Sequence, residues 1–116
     1  MNFKVDTKND TYIFRLREER LNAHIAPDLK AQLLLLIGDE TNNDILLDLS
    51  KVKIVDSSGL GAILLGLRQA RANDRRFALL GTHKRVNSLI QIAQVGSVLT
   101  SYQDEEEALS GMAAGE

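Results

Sequence analysis

The stretch between Ile45 and Leu80 restricts the fold of this chain more tightly than any other. It opens with Ile45-Leu46-Leu47-Asp48-Leu49, a short apolar run suited to a strand covered on at least one face. Val52, Ile54 and Val55 carry the apolar signal on to Asp56, and from Leu60 the spacing changes. Ile63, Leu64, Leu67 and Ala70 recur at helical intervals until the cluster Asn73–Arg76 stops the run. Phe77–Leu80 reads as a second buried strand. Strand, helix and strand within about 35 residues make a βαβ unit, and its right-handed crossover implies a parallel pair.

The flanking segments fit around this unit. Phe3, Val5 and Thr7 alternate with polar residues, as do Tyr12, Phe14 and Leu16, so Asn2–Arg17 predicts a β-hairpin turning at Asn9-Asp10. Pro27 suits the first turn of a helix, and Leu29, Leu33, Leu36 and Ile37 form its buried stripe up to Gly38. Leu34 and Leu35 widen that stripe and are expected to pack under a sheet. Val86, Leu89, Ile90 and Ala93 predict another amphipathic helix, and Val98–Tyr102 a last short strand. The acidic run Asp104–Glu107 stands where a final helix would begin and reads as its cap rather than a metal site. The expectation is one α/β domain over residues 1–110, a mixed sheet of about five strands with about four helices, and a flexible tail over 111–116.

Composition removes several classes of function. A chain of 116 residues has room for one hydrophobic core, and its 44% hydrophobic and 26% charged residues are ordinary for a globular domain. The net charge of -2 lacks the positive field that binding to nucleic-acid phosphates needs. There is no cysteine for disulfides or thiolate chemistry, which is compatible with the cytoplasm as the expected location. The longest apolar run, Leu33–Ile37, is far shorter than the ~20 residues a membrane-spanning helix requires, and the opening residues lack the layout of a signal peptide. His24 and His83 lie far apart and suit surface or boundary positions, so neither a metal nor a cofactor is expected.

The informative segment is Val55-Asp56-Ser57-Ser58-Gly59-Leu60-Gly61-Ala62-Ile63-Leu64, where strand passes into helix through small polar residues and glycines. Ser57 or Ser58 can supply the N-cap oxygen, beside leading amides that have no intrahelical partner. One reading is purely structural: the serines cap, and the glycines allow helix and sheet to approach. The other concerns charge. A phosphate on a serine here adds about -1.5 to -2 charges at a place that tolerates them, yet it would oppose the docking of a partner on the same surface.

Ile45-Leu46-Leu47-Asp48-Leu49-Ser50 followed by Val55-Asp56-Ser57-Ser58-Gly59-Leu60-Gly61 resembles the STAS family, specifically its anti-sigma factor antagonists, and the order of elements agrees from about Asn2 to Leu109. The resemblance implies that Ser58, the second serine of the D-S-S-G-L-G motif, is the phosphoacceptor. It implies two partners: an anti-sigma factor that is also an ATP-dependent serine kinase of the histidine-kinase-like ATPase type, and a phosphatase that reverses the mark. Asp56 takes the motif's acidic position, orienting the loop and assisting removal of the acceptor's proton. Ser57 is expected as a cap, while Gly59, Leu60 and Gly61 belong to the surface that a partner approaches. The sequence departs from many members at Asn22, where they carry an aspartate.

Enzyme readings find little support. A G-x-S-x-G elbow would need glycines where Asp56 and Leu60 stand, and Gly59-Leu60-Gly61 meets Leu64 where a dinucleotide fingerprint has its third glycine. A phosphate-receiver domain, with Asp56 as acceptor, would need a helix after its first strand instead of a hairpin. The main alternative is a STAS subunit that is never phosphorylated and docks in a larger assembly, such as a lipid transporter.

Overall fold

A computed structural model describes residues 1–115 and shows β1 (Phe3–Lys8), β2 (Thr11–Leu16), β3 (Arg20–Leu21), α1 (Ala26–Ile37), β4 (Asp44–Asp48), β5 (Ile54–Val55), α2 (Ser57–Ala72), β6 (Phe77–Leu80), α3 (Lys84–Ile92), β7 (Thr100–Tyr102) and α4 (Glu105–Ala113). Five strands form one mixed sheet in the order β1-β2-β4-β6-β7, antiparallel only between β1 and β2. The hairpin is tight because Asn9 (φ 52°) and Asp10 (φ 58°) both take left-handed backbone, the conformation of a type I′ turn. The expected βαβ unit is present as β4, α2 and β6.

The sheet is covered unequally. Residues of α1, α2 and α3 share a core cluster with Phe14, Leu47 and Leu79, whereas α4 alone packs on the other face over Ile13, Leu46, Ala78 and Leu80. Consequently β2 does not follow the half-buried alternation expected of it: Ile13 and Phe14 are both fully buried, because β4 and α4 turn β2 into an interior strand. At the start of α4, the same face carries an ion network. Arg15 contacts Asp6 (2.7 Å), Asp48 (3.1 Å) and Glu105 (2.8 Å), and Lys8 also reaches Glu105 at 2.8 Å. Asp104 accepts a hydrogen bond from the Glu107 amide, so the acidic run begins α4 as a cap.

Three expectations need correction. Leu34 and Leu35 are 43% and 69% exposed, since α1 touches the sheet along Ala26, Leu29, Leu33 and Ile37 and turns its intervening leucines outward. The chain at 111–113 is not a loose tail: it completes α4, and Gly111 and Met112 are buried. Arg75, read as part of a charged helix stop, is buried and donates to the carbonyls of Leu36 (2.7 Å), Asn43 (3.3 Å) and Asp39 (2.7 Å). It thereby satisfies carbonyls left open where α1 ends and the chain turns toward β4.

Candidate functional site

The serine-rich junction is held by a two-strand ladder that has no visible signature in the sequence. β5 pairs in parallel with β3, Ile54 opposite Arg20 and Val55 opposite Leu21. Just beyond it, the Asp56 amide donates to the Leu21 carbonyl at 3.2 Å. The backbone is still extended at Asp56 (φ -94°, ψ -176°) and becomes helical at Ser57. Pairs of two residues are too short to show periodicity, so the ladder arises from the crossing of two loops and not from a local preference.

Asp56 is the N-cap of α2. Its Oδ1 accepts from the Gly59 amide at 2.9 Å, and its carbonyl accepts from Leu60 at 2.9 Å. This corrects the expectation that Ser57 or Ser58 caps the helix. An aspartate is as good a cap as serine and stands one residue earlier, so the serines become the first two helical residues. Their amides have no carbonyl one turn back within the helix. Ser57 is exposed and Ser58 half-buried, and neither hydroxyl makes a hydrogen bond among the described residues.

The motif's glycines play different parts. Gly59 is buried against β3, where a Cβ would lie 2.3 Å from the Leu21 carbonyl oxygen. Gly61 is partly exposed, and a Cβ there would meet nothing within 4 Å. Leu60 is likewise partly exposed, while Ala62 and Ile63 are fully buried and fix α2 to the core. The helix thus presents Ser57, Ser58, Leu60 and Gly61 at its leading end while its far side is locked.

Asn22 occupies the turn before α1. Its Oδ1 accepts from the amides of His24 (3.0 Å) and Ile25 (3.3 Å), bonds that an aspartate would make with the same atom type. The departure at this position therefore keeps the turn. His24 is exposed nearby, and His83 lies with Nε2 2.7 Å from the Ser50 carbonyl oxygen. Among the described residues no group of three or more His, Cys, Asp or Glu side chains could hold a metal ion, and no helix is long and apolar enough to cross a membrane.

A domain of this topology has known counterparts. The model of the STAS domain family matches residues 2–108, and the chain belongs to that family. An anti-sigma-B factor antagonist of Staphylococcus epidermidis is 28% identical over 92 residues, covering 79% of this chain and 83% of that protein. Among solved structures, an anti-sigma-factor antagonist (STAS) domain protein from Planctomyces limnophilus superposes with a TM-score of 0.87 at 19% identity, covering 96% of this chain and 97% of that one. The Bacillus cell fate determinant SpoIIAA in its phosphorylated form gives a TM-score of 0.72 at 24% identity, covering 94% and 97%. At these identities the structural matches establish the fold alone.

Proposed function

We propose that this protein is an anti-sigma factor antagonist that changes partners according to whether Ser58 carries a phosphate. The observation that carries the reading is the Ser58 hydroxyl itself: partly exposed, in the first turn of α2, and without a hydrogen bond among the described residues because Asp56 does the capping. The relatives named anti-sigma-B factor antagonists support the regulatory role, and the phosphorylated form of SpoIIAA supports the modification.

The kinase is an ATP-binding anti-sigma factor of the histidine-kinase-like ATPase type. Ser58 Oγ forms a bond to the γ-phosphorus of ATP, the bond to the β-phosphate oxygen breaks, and ADP leaves. The hydroxyl proton passes to a carboxylate base, a role open to Asp56 through the oxygen that the Gly59 amide leaves free. The phosphoserine then stands at the positive end of α2, so the fold tolerates it, but its charge and hydration oppose a partner seated on the same surface. A penalty of about 1.4 kcal/mol already lowers affinity tenfold. A serine phosphatase restores the binding form, which captures the kinase and frees its sigma factor in the cytoplasm. On this reading the protein is a kinase substrate and not itself an enzyme.

Intact mass after incubation with ATP and the cognate kinase tests the assignment. Wild type gains one phosphoryl group and Ser58→Ala gains none; a full gain by Ser58→Ala removes the site.

A further inference from the structure

The start of α3 breaks a rule that the other helices obey. α1 has Asp28 in its first turn, α2 is capped by Asp56, and α4 is capped by Asp104 with Glu105, Glu106 and Glu107 behind it. α3 opens instead on Lys84 and Arg85, with no acidic residue in its first turn and no side-chain cap from His83. Two cations at the positive end of a helix dipole work against its stability. Both side chains are exposed, and neither makes an ion pair among the described residues. Residues that disobey local preference without a compensating contact mark places where something other than folding set the choice.

Lys84 and Arg85 line an open depression of about 400 Å³ together with Lys53, Ile54 and His83, and its lining holds no carboxylate. Ile54 is 40% exposed there and belongs to β5, two residues before the cap Asp56. The His83 contact with the Ser50 carbonyl ties the start of α3 to the loop leading into β5. The depression is therefore joined to the serine pair through β5, whose Ile54 stands three residues before Ser57. Lys53 is partly balanced by Glu19 at 3.7 Å, which leaves Lys84 and Arg85 as its unmatched charges.

We propose that this depression receives an acidic segment of the partner, its carboxylates against Lys84 and Arg85 and an apolar side chain against Ile54. The inference rests on the reading above, in which a kinase docks on the motif, and adds the chemistry of the face it brings. The chain as a whole carries a charge of -2, so attraction for an anionic surface is local and works at contact range. The same chemistry sets the direction of the switch. A phosphate on Ser58, in the motif that follows Ile54, adds about -1.5 to -2 charges to an edge that the partner meets with carboxylates.

The test is calorimetric titration of the cognate kinase with wild type, the double variant Lys84→Glu/Arg85→Glu, Ile54→Ser and Ser58→Asp, at low and high salt. The charge reversal weakens binding by about tenfold or more at low salt and flattens its salt dependence. Its thermal midpoint stays level or rises, because carboxylates suit a helix N-terminus. Ile54→Ser weakens binding several-fold with the salt dependence kept. Affinity of the charge-reversed protein within about twofold of wild type overturns this inference, and if Ser58→Asp still loses binding, the motif's role survives alone. A wild type that binds no kinase overturns both.

Discussion

The carbonyl oxygen of Leu21 occupies the space where a side chain at Gly59 would begin: a Cβ on Gly59 would lie 2.3 Å from that oxygen and 2.8 Å from Leu21 Cγ. The same carbonyl accepts from the Asp56 amide, so it cannot retreat without releasing the start of α2. One backbone group of a two-residue strand thus sets both where the helix begins and how closely it lies.

Gly59 and Gly61 should consequently respond in opposite ways to alanine. Gly59→Ala forces backbone apart and is expected to lose about 1–3 kcal/mol in urea unfolding, the usual cost of overpacking. Gly61→Ala enters open space in a helix interior and should gain up to about 1 kcal/mol through helix propensity. Equal effects at the two positions would contradict the close approach of β3.

The capping geometry separates Asp56 from the serines. Asp56→Ala removes the acceptor for the Gly59 amide and should cost about 1 kcal/mol, whereas Ser57→Ala and Ser58→Ala should stay within about 0.5 kcal/mol of wild type. Thermal melts of the three variants make the comparison. A loss at Ser58→Ala as large as that at Asp56→Ala would mean that the Ser58 hydroxyl is engaged in the fold.

Asp39 should shape the acid limb of stability. Partial desolvation pushes its carboxyl up, but hydrogen bonds from Tyr12, Thr41 and Arg75 outweigh this and hold it at about 2. An unfolded aspartate titrates near 3.9, so the native state binds the proton less readily. The stabilisation is therefore complete above about pH 4 and lost as the pH falls through about 2. Asp39→Asn should be less stable than wild type at neutral pH and lose less on acidification. Parallel acid limbs for the two proteins would contradict the role of this carboxylate.

The D-S-S-G-L-G stretch was legible because its meaning is local. A change from strand-like to helical spacing, with small polar residues at the join, forces a helix N-terminus at Asp56–Ser58 whatever surrounds it. That Asp56, and not Ser57 or Ser58, caps that helix was not legible, because all three side chains are competent caps and neighbouring. The choice follows from the Leu21 carbonyl, which holds Asp56 extended and lets the helix begin at the next residue. The cationic start of α3 was equally hidden, since Lys84 and Arg85 acquire their significance only beside Lys53 and Ile54, some thirty positions earlier.

From the order of residues alone came the types of the longer elements, the parallel βαβ unit, the single domain and the strand-to-helix junction at Asp56–Ser58, because periodicity and capping depend on neighbours within a few positions. Burial was settled only by assembly. Leu34 and Leu35 are exposed while Ile13 and Arg75 are enclosed, since burial depends on which element lies opposite, and nothing within one helix or strand encodes that. The tertiary fold also decided that the Ser58 hydroxyl makes no hydrogen bond among the described residues, because a strand from another loop made Asp56 the cap.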